Sequence, residues 1–575
     1  MKKSSPVATI AAMCLCCALS AQAARGDEPV KKDKFVPAVT WAFSGDGGKT
    51  FLLKELPAVA SAQTISFTAR GVFKVDKPSS IGCLWLSAAG NQPGLTTGDY
   101  GEWSRPLVTE AVVTLNGKAL SGVAAFQVYN KFVLDTADLV AGENVVTISG
   151  KYCNAALKYG VIEPIKPEMV LSYGGAEDVE FIAGPAVGAC GEDYFSVCAR
   201  TNANAVVTLK VTVVQGATHN SVARVADRQT SGSMGETPMP QGKSMGETPM
   251  PQNGKEITLT SPRGRFHRFR ASIPKGTREL KYTMTPYASA GGAAGKAAGP
   301  HSVKLPDFAG KSFTFAAVGA SDGGGWESLS EKIRAAAPDF VIHAGGMNCF
   351  PVLDGAWDGM MFKSCAPLVA AVPLYAVRGC EEGGGPNPVF AGMIYSPTPD
   401  GTGRNWTQVF GDLLLIGLDE DAITDWSAGK GTMVWLESVL KASREKYIVV
   451  VSHYPGYGSG QGCRPPLSGI LLQVRQNVMP LLAKYKATAM ISSFSHGYER
   501  CEPTADKGVT NISIAAAGTA QFKASNRSKS NNPFHVTWAN GLLYTLWQVK
   551  DGKLTMRALR AGGAEIESKV FEPRQ

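Results

Sequence analysis

Past residue 23 the sequence has no run of about 18 apolar residues, the length a membrane-crossing helix requires. No arginine- or lysine-rich run stands out either, which argues against nucleic acid as a partner. Charged residues make up only 18% against 44% apolar, so the chain can bury a sizeable core. The formal net charge of +9 falls to about +7 once Lys2 and Lys3 are set aside, which is mild for 575 residues. That length allows three or four domains at roughly 100–200 residues each.

The opening residues carry the pattern of a secretory leader. Lys2 and Lys3 form a basic end, Val7 to Leu19 an apolar stretch, and Ala21-Gln22-Ala23 a small-residue cleavage site. Cys14, Cys16 and Cys17 lack the small residue expected before a lipidated cysteine, so cleavage rather than lipid anchoring is expected. Residues 1–23 are thus read as a signal peptide, and the rest as exported: periplasmic, cell-surface or extracellular. Twelve cysteines, three of them in the leader, leave nine for an oxidising compartment. Cys190 and Cys198 flank a hairpin-like stretch, and Cys463 and Cys501 both follow strand ends. Either pair is a candidate disulfide.

Residues 30–165 alternate apolar and polar positions in short runs broken by turn residues, as in "TISFTARGVFKV" and "AVVTLNGKAL". Period two with Asn-Gly turns predicts an antiparallel β-sandwich of jelly-roll or galactose-binding type. Within it, "FSGDGGKTF" (43–51) invites a phosphate-loop reading. The first glycine of that motif is Phe43 here, and no helical pattern follows. The spacing of Ser44, Asp46, Gly48, Thr50 and Phe51 suits a structural Asp-box turn instead. Residues 170–305 form a second β-rich unit. It is interrupted by a direct repeat, "SMGETPMPQ" at 233–241 and again at 244–252. Two proline-bearing copies with little apolar content predict a disordered insertion at 231–255. From 311 to 572 strands alternate with helices, which predicts a layered α/β domain. The helical stretches are "WESLSEKIRAAAP", "TMVWLESVLKAS" and "LLQVRQNVMPLLAKY".

In open α/β sheets, function collects at the carboxyl ends of strands. Those ends read Gly319-Ala320-Ser321-Asp322, Gly345-Gly346-Met347-Asn348-Cys349, Gly379-Cys380-Glu381-Glu382, Ser452-His453-Tyr454-Pro455 and Ser493-Phe494-Ser495-His496-Gly497-Tyr498-Glu499-Arg500. With "PDFVIHAGG", "FGDLLLIGLD", "IVVVSHYPGY" and "HGYER" in this order, the region resembles the calcineurin-like metallophosphoesterases, most closely those of purple acid phosphatase type. The stretch "SPRGRFHRFRASIP" before it is similar to the fibronectin-like domain that precedes the catalytic domain in that type. The resemblance implies a multidomain chain: N-terminal β-sandwich, fibronectin-like β domain, and a four-layer α/β/β/α phosphoesterase-like domain.

That family's pattern is Gly-Asp, Gly-Asp-x-x-Tyr, Gly-Asn-His-Glu, a strand ending in His, then Gly-His-x-His. Its chemistry uses two metal ions about 3.5–4 Å apart, bound by carboxylates and imidazoles, to activate a hydroxide for attack on a phosphate ester. Carried over, the first aspartate falls on Ala320 and the bridging aspartate on Gly346. The tyrosine falls on Cys349, the asparagine on Cys380 and the histidine after it on Glu381. The strand-end histidine is kept as His453. In the last motif Phe494 replaces the first histidine and His496 keeps the second. With Glu381 set aside, since that histidine assists the leaving group, five of the seven ligand positions are changed, and Ala320, Gly346 and Phe494 have no donor atom in their side chains. Asp322, Asn348, Glu381 and Glu382 stand beside these positions, and Asp322 is a candidate substitute ligand.

The resulting expectation is a pseudoenzyme that binds a glycan or a small anionic ligand, without a resident cofactor. The rivals are an active phosphomonoesterase or phosphodiesterase with a dinuclear centre built from substitute ligands, and a surface protein whose domains are spacers. Cys349, Cys380, His453 and His496 would also suit one zinc ion. Cys349 and Cys380 could instead form a disulfide, or simply fill volume. Trp85 and Trp103 are candidate sugar-stacking residues of the N-terminal sandwich. His343, inside a buried strand, reads as a satisfied core residue. His267 reads as solvated or at a domain contact.

Overall fold

The computed structural model describes residues 34–574 apart from 36–38, 45–47, 52–58, 61–63, 76–80, 88–107, 121–124, 127–129, 135–137, 154–160, 163–167, 175–178, 216–253, 255, 322–324, 348–356, 380–381, 383–387, 402–403, 420–425, 428, 461–462, 464–468, 496, 515–516 and 518–531. The leader, nearly all of the repeat insertion and Trp103 therefore lie outside the described residues, as does the side chain of Trp85. Among the described residues no helix is long and apolar enough to cross a membrane.

The first unit is antiparallel throughout. Thr64–Val75 pairs with Thr40–Ser44 and with Gly142–Cys153, which in turn pairs with Val108–Leu115. Asn116 and Gly117, both at positive φ, turn Val108–Leu115 into the short strand Lys118–Ala119, as an Asn-Gly hairpin requires. In the Asp-box-like stretch the Gly48 amide donates to Ser44 Oγ at 2.9 Å. A second sheet joins Lys34–Phe35, Glu168–Gly174, Ile81–Ser87 and Asn130–Leu134. The strand Glu168–Gly174 thus belongs to this unit, which extends past residue 165.

The next sheet is organised around one long strand, Tyr194–Gln215, which pairs with Phe181–Val187, Glu256–Thr260, Gly264–Ser272 and Glu279–Tyr287. Around Cys198, where it meets the α/β region, this sheet is buried on both faces, and its packing corrects two expectations. Cys190 packs with Val197, Phe269 and Leu280 on one face. Cys198 packs with Ala186 and with Met361 and Cys365 of the α/β region on the other. Opposite faces of a sheet cannot be joined by one disulfide, and both residues are buried thiols. His267 is fully buried, because strand alternation turns it inward with Phe269 and Ala271. Its Nδ1 meets Ser261 Oγ at 2.8 Å and its Nε2 meets Thr201 Oγ1 at 3.0 Å. Burial pushes its pKa down to about 4.

The α/β region holds two sheets. One runs, in spatial order, Leu374–Ala376, Phe340–His343, Phe313–Val318, Leu543–Lys550, Lys553–Arg560 and Glu565–Phe571. The other runs Trp406–Phe410, Leu413–Gly417, Tyr447–Val451, Ala489–Ser492, Thr510–Ile514, Tyr498–Cys501 and His535–Ala539. Phe315, Phe340, Phe410, Val449, Ile491 and Trp547 form one core between them. Trp326–Ala335 buries Trp326, Leu329, Ser330 and Ile333, a spacing that puts one helical face on the first sheet. Gly431–Ala442 buries Met433, Leu436 and Leu440 in the core of the second. The proline-bearing stretch splits into Gly469–Gln473, a π-helical turn Val474–Val478, and Met479–Lys484. Pro480 has no amide hydrogen, so the ladder must change register before it. Two tyrosines tie this region to the preceding sheet. Tyr375 donates to the Cys190 carbonyl at 2.6 Å and Tyr282 to the Ala370 carbonyl at 2.9 Å.

Candidate functional site

The strands Phe313–Val318, Phe340–His343 and Leu374–Ala376 are parallel to one another, as are Tyr447–Val451 and Ala489–Ser492. Their carboxyl ends meet. Ala320 and Ser321 donate to the carbonyls of Gly345 (3.0 Å) and Gly346 (2.8 Å). Ser493 donates through its amide to the His453 carbonyl at 2.9 Å. The structure therefore brings together Ala320, Gly346, His453 and Phe494, four of the positions read from the sequence. Cys349, Cys380, Glu381 and His496, with Asp322 and Asn348, lie outside the described residues.

The backbone at these ends is unusual. Ala320 has φ +50° and Phe494 φ +74°, a left-handed conformation that costs a side-chain-bearing residue about 1 kcal/mol or more. Gly345 and Gly346 take φ +81° and +71°. The packing leaves no slack. A Cβ on Gly346 would lie 3.2 Å from Ala320 Cα and 3.3 Å from His453 Cε1. A Cβ on Gly379 would lie 2.7 Å from the Gly346 nitrogen and 2.8 Å from His453 Nδ1.

His453 is buried. Its Nδ1 is 2.6 Å from Ser493 Oγ and 3.2 Å from the Ala344 carbonyl. Ser493 Oγ in turn donates to the Ala344 carbonyl at 2.8 Å, so the hydrogen between imidazole and hydroxyl sits on Nδ1. Burial lowers the histidine's pKa, opposed by the negative charge of Glu382 and by the Ala344 carbonyl. In the tautomer with Nδ1 protonated, Nε2 keeps a lone pair. Phe494, half-buried, meets the His453 ring edge-on at 5.6 Å and the Tyr454 ring at 4.7 Å. Among the described residues no group of three or more His, Cys, Asp or Glu side chains could hold a metal ion.

Two features escaped the sequence reading. Glu382, noticed only as a neighbour, accepts three backbone amides: Gly346 (3.0 Å), Met347 (2.6 Å) and Gly379 (2.8 Å). Arg378 clamps Asp419 with two bonds, Nε to Oδ1 at 2.8 Å and Nη2 to Oδ2 at 2.5 Å, which fixes the segment entering Gly379. His343, expected as a satisfied core residue, is half satisfied. Its Nε2 meets Ser321 Oγ at 2.9 Å, while its buried Nδ1 has no hydrogen-bond partner among the described residues. Burial, reinforced by His453, pushes its pKa down to about 3.

No protein-family model matches the sequence, and no curated protein is similar to it. Solved structures are. A purple acid phosphatase from yellow lupin (Lupinus luteus) seeds aligns over 88% of this chain and 93% of its own, with a TM-score of 0.53 and 12% identity. PhoD aligns over 69% of this chain and 90% of its own, with a TM-score of 0.45 and 12% identity. GAP50, the anchor in the inner membrane complex of Plasmodium, covers 46% of this chain and 90% of its own, at TM-score 0.38 and 14% identity. At such identity the lupin likeness speaks for the fold alone, and the fold is metallophosphoesterase-like.

Proposed function

We propose that this chain uses a metallophosphoesterase-like scaffold for binding rather than hydrolysis. The observation that carries this reading is the crowding at Gly346. The bridging position of a dinuclear centre needs a carboxylate on a side chain. Here even a Cβ would press on Ala320 and on the His453 ring, in a left-handed backbone conformation. The residues at the three described positions Ala320, Gly346 and Phe494 therefore do not fit a metal pair, and no hydrolytic step is derived through one. His453 is the described residue whose chemistry would still suit a metal, through Nε2. Together with Cys349, Cys380 and His496 it would make a ligand set for a single zinc ion.

The ligand we assign is a glycan or small anion met outside the cytoplasm, after export by the leader. Two half-buried rings, Tyr454 and Phe494, stand at the strand ends where α/β sheets receive ligands, and ring faces suit sugars. Binding to a glycan array by the full chain, weakened in Phe494→Ala, tests the binding reading. Assay of pure protein on a generic phosphate ester at acid and neutral pH, with added divalent metals, tests its rival. No turnover above background is expected. Robust metal-dependent turnover abolished by His453→Ala would overturn the reading.

A further inference from the structure

Glu382 is 1% exposed, and both of its carboxylate oxygens end in backbone amides. Oε2 accepts from Gly346 at 3.0 Å and from Gly379 at 2.8 Å, and Oε1 from Met347 at 2.6 Å. These amides come from two strand-end segments. Gly345 and Gly346, at φ +81° and +71°, turn the consecutive amides of residues 346 and 347 toward one carboxylate. Backbone amides that converge in this way form a concavity for an anion. The Gly379 amide closes it from the other segment, and the Arg378–Asp419 clamp next to it holds that segment in place.

We infer that the amides of Gly346, Met347 and Gly379 form an oxyanion-binding site of carboxylate size, and that the chain's own Glu382 occupies it. The three contacts are all donors and reach both oxygens of one planar group. That pattern selects a carboxylate over its carboxamide or protonated acid, either of which would bring a hydrogen of its own against one of the donors. The internal carboxylate holds the strand ends together by fixed dipoles. It also means that a free anion entering the native pocket finds these donors already used. The inference concerns this site alone and stands whether or not the pocket binds a glycan.

The test uses the full chain. Glu382→Ala keeps Cβ, so the missing fragment has the shape of acetate. Thermal unfolding is followed in rising sodium acetate against sodium chloride of equal concentration. Glu382→Ala is expected to melt below the native chain and to recover with acetate but not chloride. At ten times its dissociation constant, acetate should raise the folding equilibrium constant about 11-fold. The native chain should respond to the two salts alike. Glu382→Gln fills the site with a carboxamide, so it should melt below the native chain and stay flat in acetate. An alanine variant no more sensitive to acetate than the native chain overturns the inference. If that variant yields no folded protein, Glu382→Gln decides, and a melting temperature equal to the native one overturns it.

Discussion

His453 and Ser493, forty residues apart, share a hydrogen bond of 2.6 Å between Nδ1 and Oγ across two adjacent parallel strand ends. That bond fixes the ring while burial lowers its pKa. His343 and His267 are buried neutral, with pKa values pushed down to about 3 and about 4. The unfolded chain takes up these protons near pH 6.5 and the folded chain does not, so acid favours unfolding. Stability is expected to fall from pH 6.5 to 5, by about 1.4 kcal/mol per pH unit for each of His343 and His267 once its unfolded form is fully protonated. Urea unfolding across that window measures it. His267→Gln, whose amide can still meet Ser261 and Thr201, should flatten the slope by one proton.

Putting a carboxylate back at the bridging position should not restore a site. Gly346→Asp places a Cβ 3.2 Å from Ala320 Cα in a backbone with φ +71°. A loss of about 1–3 kcal/mol is expected in chemical denaturation. A variant as stable as the native chain, with newly acquired metal binding, would show that the pocket opens more readily than its packing indicates.

Metal content and thiol reactivity should agree. Stoichiometric metal is not expected in purified protein. Zinc near one per chain, lost in Cys380→Ser, would establish a mononuclear site, and a Cys349–Cys380 disulfide would show as two thiols missing after denaturation. Cys190, Cys198 and Cys365 are buried thiols whose pKa burial pushes up to about 12. They should resist alkylation in the native chain at pH 8 and react fully on unfolding, read by peptide mass mapping.

Removing the repeat should matter little. Before the insertion Thr212 pairs with Glu256, and the Gly254 amide donates to the Val213 carbonyl at 3.1 Å, so the two ends already meet. A short glycine-serine link in place of 231–253 is expected to leave the melting temperature nearly unchanged, by calorimetry. A large loss of folded protein would show that the segment packs.

Much of the scaffold was legible from local pattern. The helical spacing of "WESLSEKIRAAAP" corresponds to Trp326–Ala335, and the Asn-Gly turn of "AVVTLNGKAL" forms a hairpin. The order of strand ends brought Ala320, Gly346, His453 and Phe494 to one place. Less legible was anything set by which face of a sheet is covered. The pattern around Cys190 and Cys198 suggested a hairpin bridge, yet the sheet is covered on both faces at that point and the two thiols lie in different cores. His267 lay among arginines and aromatics that hid an inward position.

What the sequence by itself determined is the set of atoms available. No fold can supply a donor to the side chains of Ala320, Gly346 or Phe494, because side-chain chemistry is a local property. What only the tertiary structure decided is who meets whom and at what distance from water. Glu382 finds Gly346 and Met347 across thirty-six and thirty-five residues, and no local pattern encodes that contact. It exists because parallel strands, each entered from a different part of the chain, end side by side. Their unpaired amides then need a partner that burial denies them from solvent.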